Sequence, residues 1–241
     1  MIGNINNSNS LNSLRHISSN DRKTDKLYRQ MSSGSRIPQF SFDPAGGAIS
    51  EKMRAQFEQY ERQIMNEQDT VNRLNTEEGA YDGIGSSMQE IRKLQIQARN
   101  DTLSDQDREH IQNEIDLQIE SMKFMADSAE FNTKKVVQPG EELQKIFDEG
   151  VDATGDLIDD AINEVSSRRS EIGAKVNSTT KQIDEKMIAY ENTVASFSGI
   201  NDMDMAKGMV EKIKLDMMKQ AGTANLKNIM NTNRDSIRNI M

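Results

Sequence analysis

Two histidines, His16 and His110, are the only imidazoles in the chain, and they fall in unrelated segments. The run around the second, REHIQNE, lacks the HExxH spacing that sets two imidazoles on one helix face around zinc. Both read as surface side chains. The glycines of DPAGGAIS neither follow a strand nor precede a Lys-Ser or Lys-Thr pair, so a phosphate-cradling loop is a poor match. Carboxylate pairs such as Glu77 and Glu78 lie on a polar helix face, without an apolar pocket to shift their pKa. The absence of cysteine removes disulfides and thiolate metal sites. No catalytic, metal or cofactor residue is expected, and an enzyme is the least supported class.

The elements that carry these residues explain the missing chemistry. Of 241 residues, 34% are hydrophobic, 5% aromatic and 29% charged, which suits long helices with one narrow apolar stripe and a thin, elongated fold. The formal net charge of -9 argues against nucleic-acid binding, which needs a basic face. Charge is unevenly placed: residues 1–43 hold six Lys/Arg against three Asp/Glu and 199–241 hold seven against five, leaving -14 in the middle. Ends and middle are therefore expected to meet different environments. No run approaches the roughly 20 apolar residues of a membrane span. The start, MIGNINNSNSLNSLRHIS, lacks the apolar core of a secretory signal, which taken alone favours the cytoplasm.

Proline occurs only at 38, 44 and 139, so long uninterrupted helices are permitted. From Met53, apolar residues recur through Phe57, Tyr60, Ile64, Val71, Leu74, Tyr81, Ile84, Met88, Ile91, Leu94 and Ala98, at helical spacing. Gly79, Gly83 and Gly85 predict a bend or a close helix contact within that stripe. Ser104 and Asp107 predict the N-cap of a second helix reaching about residue 130, and the Pro-Gly in 131–150 suggests a small β-hairpin. A heptad stripe from Leu157 runs through Ile158, Val165, Ile172, Ile183 and Phe197, with Arg169 and Thr180 at its two polar positions. FSGIND at 197–202 reads as a turn, and a last helix from near Met203 carries seven of the fifteen methionines, whose expected role is packing. The fold class is mainly α: a long antiparallel helical bundle or coiled coil with paired terminal helices and at most a small hairpin near 131–150.

Specific runs carry a resemblance. MSSGSRIPQFSFDPAGGAISEKMRAQ resembles the signature of the bacterial flagellins, in which a Ser-Ser-Gly-x-Arg-Ile run precedes an Ala/Gly-rich start of a long helix. NTEEGAYDGI, MQEIRKLQIQARNDTLSDQDREHIQNEI, AEFNTKKVV and INDMDMAKGMVEKIKLDMMKQAGTANL are also similar to that family, in the right order. The resemblance implies a structural subunit that self-assembles into the flagellar filament for motility, in a minimal form without variable outer domains. Within it, 1–43 and 199–241 would pair as inner-tube helices and spoke, and 44–198 would form the rod-like domain. Each end is too thinly apolar to fold well alone, so assembly would order it.

The same resemblance implies export by the flagellar type III route to an extracellular filament, overriding the cytoplasmic expectation, and leaves a periplasmic filament open. Implied partners are other copies of the chain, the export apparatus with an export chaperone, and hook-associated and cap proteins. Arg36, Phe40 and Phe42, in a spoke more apolar than is usual for the family, are candidate intersubunit contacts. By the same resemblance Gln89, Glu90, Leu94 and Glu114 fall on the surface that faces the flagellin-sensing Toll-like receptor, and Leu94 and Glu114 match its pattern. Glu90 stands where detected flagellins carry Arg, which implies weak or no receptor activation. The C-terminal run NIMNTNRDSIRNIM lacks the family's Pro-then-Leu ending. Two other readings are a hook-filament junction protein, with similar termini, and a coiled-coil adaptor binding another protein through the Met-rich end.

Overall fold

The computed structural model describes residues 2–153 and 158–238. The expected start of a stripe at Leu157, Met241 and the final turn of the chain lie outside the described residues. In chain order the described elements are α1 (Ile2–Ser33), α2 (Pro44–Ala98), α3 (Asp105–Ser128), β1 (Glu130–Phe131), β2 (Lys134–Lys135), α4 (Glu141–Glu149), α5 (Ile158–Asn201) and α6 (Met205–Arg238). They group into two compact units: residues 1–58 with 190–241, and residues 59–189. The division falls inside α2 and inside α5.

In residues 59–189 the predicted stripes close on one another. Leu74, Tyr81, Ile84, Met88, Ile91 and Ala98 of α2 are buried with Ile111, Ile115, Ile119 and Met122 of α3 and with Ile158, Ala161, Val165 and Ile172 of α5. α2 stays continuous through its three glycines, so the expected bend gives way to the close contact. A Cβ at Gly83 would lie 2.7 Å from Met125 Sδ of α3, and one at Gly85 would lie 3.7 Å from Val165 Cγ1 of α5. α3 begins with the predicted capping box: the Asp107 amide donates to the Ser104 hydroxyl at 3.2 Å, and the Ser104 amide donates to the Asp107 carboxylate at 3.1 Å. Hydrogen bonds from Ser104 hold the Asp107 carboxyl below the usual carboxylate range.

The interruption at 131–150 differs in detail from its sequence reading. The hairpin pairs Glu130 with Lys135 and Phe131 with Lys134, and its turn is Asn132-Thr133, both at positive φ, rather than Pro139-Gly140. Residues 141–149 are helical because Leu143, Ile146 and Phe147 recur at steps of three and four and bury one face. Gly140 sits at the N-cap of α4, where a side chain would overlap the Glu164 carboxylate that accepts the Glu142 amide at 2.9 Å. A carboxylate from α5 thus supplies the cap that glycine lacks. Tyr81 donates its hydroxyl to the Gln138 carbonyl at 2.8 Å, and burial raises its pKa.

The two polar positions of the α5 stripe also have an explanation. Arg169 reaches across to α2, with Glu78 and Asp82 each at 2.8 Å, and Thr180 turns its hydroxyl back to the Val176 carbonyl at 2.8 Å. α5 runs through most of the expected FSGIND turn to Asn201, and α6 starts at Met205, close to the expected Met203. The Asp204 carboxylate caps it, accepting the Lys207 amide at 3.0 Å, and that hydrogen bond lowers the Asp204 pKa.

Candidate assembly surface

α1 and α6 pack antiparallel. Ile17 meets Gly222, Asp21 pairs with Lys219 at 2.8 Å, the Lys212 ammonium lies 5.5 Å over the Tyr28 ring, and Met31 meets Gly208. Gly222 allows close approach, since a Cβ there would lie 3.1 Å from Ile17 Cγ1, whereas one at Gly208 would meet Met31 Cγ at 3.5 Å and Met203 Cε, just before α6, at 2.5 Å. The hydrogen bonds that the Lys212 and Lys219 ammonium groups donate to Tyr28 and Asp21 raise the pKa of each lysine. These pairs are solvent-exposed and set register more than stability.

The apolar content of this pair faces outward. Its buried apolar side chains, among those described, are Leu27 and Leu215. Met205, Met209, Ile213 and Met217 follow one another at steps of four along α6 and are 46%, 59%, 53% and 62% exposed. Leu11, Leu14 and Tyr28 of α1 are equally open to solvent. A helix pair with so few buried apolar groups gains little from folding alone.

The connector 34–43 is tied to the end of α5. Gly34 leaves α1 at φ 67° and its carbonyl accepts the Met203 amide at 3.0 Å. The Ser35 hydroxyl donates to the Asn201 carbonyl at 3.1 Å. Arg36 donates its amide to the same carbonyl at 2.6 Å and its Nε to the Ile200 carbonyl at 2.8 Å. A guanidinium at the C-terminal end of a helix complements both its free carbonyls and its dipole. Part of Arg36 is therefore committed inside its own chain. Asp43 caps α2, accepting the Gly46 amide at 2.9 Å, with Pro44 as the first helical residue.

Sequence reasoning left the paired glycines of DPAGGAIS without a role, and the structure supplies one. A Cβ at Gly46 would collide with the Asp43 carboxylate, and one at Gly47 would lie 2.8 Å from the Phe40 ring. Phe40 rests edgewise on bare helix backbone and stays 56% exposed. Phe42 is half-buried, with the Lys26 ammonium 4.9 Å over its ring. Phe40 also borders a cavity of about 180 Å³ with Pro38, Arg54 and Phe197, into whose lining the buried Ser50 hydroxyl brings no hydrogen bond. An edge-to-face cluster of Phe57 with Phe197 and Tyr190, at 5.5 and 6.1 Å, closes this end of α2 on α5. The signal for that cluster was present in the two stripes, but nothing in one sequence pairs their registers.

The four positions that resemble the family's receptor-facing pattern lie in the other unit. Gln89, Glu90 and Glu114 are exposed, while Leu94 is half-buried against the core. Glu90 holds Lys93 at 2.8 Å, which leaves the anion in place with a neighbouring cation at its side. Gln95 and Gln112, which the sequence reading passed over, fasten residues 151–153: Gln95 donates to the Asp152 carbonyl, while Gln112 donates to that of Val151 and accepts the Ala153 amide. Among the described residues no group of three His, Asp or Glu side chains is placed to hold a metal ion.

Comparison with known proteins matches two family descriptions: the bacterial flagellin N-terminal helical region over residues 5–139, and the bacterial flagellin C-terminal helical region over 156–237. The chain belongs to the bacterial flagellin family. Flagellin of Halalkalibacterium halodurans is 32% identical, over 90% of this chain and 91% of its own length. Flagellin of Bacillus subtilis is 30% identical over 90% and 92%, and the flagellar filament core protein flaB2 of Brachyspira hyodysenteriae is 28% identical over 97% and 98%. The alignments thus run along nearly the whole of this chain and of each relative. The N-terminal match runs through the hairpin, and α4 falls in the gap between the two matched regions.

Proposed function

We infer that this flagellin is a structural subunit that self-assembles into the filament of the bacterial flagellum and so serves motility. One observation carries the inference: the terminal helices pair yet keep their apolar side chains in water, which makes sense for a surface completed by further copies. The ordering cost of α1 and α6 is then met by burial between subunits. On this reading residues 1–43 and 199–241 form the inner tube and spoke, and 44–198 the rod-like domain. Arg36, Phe40 and Phe42 contact neighbouring subunits: the exposed face of Phe40 and the outer guanidinium nitrogens of Arg36 are the groups left for that purpose. No catalytic role is proposed.

Removing residues 203–241 tests the core of the proposal. The shortened chain should keep a folded 59–189 unit by circular dichroism and fail to extend filament seeds; normal filaments from it would overturn the role of the paired ends.

The same reading extends to partners and place. The chain leaves the cell through the flagellar export apparatus with a chaperone, meets hook-associated and cap proteins, and forms an extracellular filament. Antibody labelling of intact cells should decorate that filament; labelling that appears only after the envelope is opened would place it in the periplasm. Glu90 weakens detection by the flagellin-sensing Toll-like receptor. Glu90→Arg should raise reporter-cell potency by tenfold or more, on the order expected for reversing one charge at a complementary contact. Equal potency of the two forms would count against it.

A further inference from the structure

The outer ridge of α6 is built from thioethers where leucine or isoleucine would pack as well. Met205, Met209 and Met217 stand at steps of four and eight with Ile213 between them, and each is about half exposed. The thioether sulfur is the one apolar side-chain group here that a mild oxidant alters: attack on hydrogen peroxide forms an S–O bond, breaks the O–O bond, oxidises sulfur by two electrons and releases water. The product is a polar, chiral sulfoxide on the same backbone. Exposure decides which methionines react first. Met88 and Met122 are fully buried, whereas the ridge is open in the free subunit.

We propose that Met205, Met209 and Met217 form a peroxide-sensitive modification site that controls whether a free subunit can join the filament. This rests on the reading that further copies cover α6. Oxidised before assembly, the ridge presents sulfoxide oxygens to an apolar contact, and each oxygen buried without a donor lowers affinity for the filament end by about tenfold or more. Oxidant arriving after assembly finds the sulfurs covered. A methionine sulfoxide reductase with a thiol reductant reverses the step, returning the thioether and water while the thiols become a disulfide. The site thus sorts subunits by their history before incorporation without affecting filament already built.

The test uses full-length protein, graded hydrogen peroxide, peptide mass spectrometry to score each methionine, and seeded extension to score assembly. Free subunits should gain sulfoxide at 205, 209 and 217 while 88 and 122 stay reduced. Their extension rate should fall at least tenfold and recover after reductase treatment, and the same three sites should oxidise at least tenfold more slowly in filaments. The variant M205L/M209L/M217L should extend seeds and keep doing so after peroxide. M65L/M187L, which removes two comparably exposed methionines of the other unit, should stay sensitive. Met209→Gln, a polar stand-in for the sulfoxide, should slow extension without oxidant. Extension unchanged despite sulfoxide at all three sites would overturn the proposal, as would a folded triple-leucine variant that peroxide still disables. Untreated wild-type protein that never extends seeds would instead overturn the filament reading itself.

Discussion

Residues 59–189 bury Tyr81, Ile84, Met88, Ile91, Ile115, Met122, Leu143 and Ile146 almost completely, whereas residues 1–58 with 190–241 bury only Leu27 and Leu215 among their described apolar side chains. Among the described residues the exposed large apolar side chains are distributed the other way: twelve of eighteen belong to the terminal unit. The two units are of similar length and both are helical, so the difference lies in where their stripes find partners. One unit satisfies its stripes with α2, α3, α4 and α5 of the same chain. The other pairs two helices and leaves their remaining faces open. A helix is thus no evidence of self-sufficiency; what distinguishes a finished core from an assembly surface is whether the apolar face is covered.

The largest expected effect comes from cutting into the finished core. Ile84→Ala should lower the unfolding free energy of the free chain by about 2–5 kcal/mol in urea titration, because a cavity opens among side chains with little freedom to collapse. A cost under about 1 kcal/mol would mean that this unit is no better packed than the ends. A smaller and opposite signature belongs to the connector 34–43. Phe40→Ala with Phe42→Ala should raise the critical concentration for filament growth by roughly tenfold while moving the monomer Tm by only a few degrees, since Phe40 is open on one side in the free subunit. Equal damage to both would assign the rings to the subunit's own packing.

The smallest effect concerns a local device in the middle unit. Ser104→Ala should lower Tm by about 2–4 °C at neutral pH through loss of the α3 cap. The Asp107 carboxyl is depressed in the folded state, so its share of that cap is present above the ordinary carboxylate range and is lost as pH falls through the lowered value. The gap in Tm between wild type and Ser104→Ala should therefore narrow in acid, and a gap independent of pH would separate the hydroxyl's contribution from that of Asp107.

Much of the helical framework was legible in the sequence, and the exceptions have physical causes. Proline spacing and three-four periodicity predict the long helices, and Ser104, Asp107, Asp43 and Pro44 mark two of their starts, because caps and proline act locally. Arg169 breaks its stripe visibly, but only the fold brings Glu78 and Asp82 to it. Pro139-Gly140 resembles a hairpin turn because the residue that makes it a helix start, Glu164, comes from α5. The proposal of Arg36, Phe40 and Phe42 as contacts comes from the family resemblance, and the glycine that seats Phe40 becomes intelligible only when its ring lies on it. Whether a stripe would be covered could not be read from periodicity, which is the same for α2 and for a helix awaiting a partner.

Amide hydrogen exchange, measured on the free subunit and again on seeded filaments, tests the central claim most directly. The account predicts that amides of α1 and α6 exchange orders of magnitude faster than those of Tyr81, Ile84 and Ile115 in the free chain, and become strongly protected in the filament, while the 59–189 core is protected in both. Terminal helices as protected as that core in the free subunit, or unchanged on polymerisation, would contradict it.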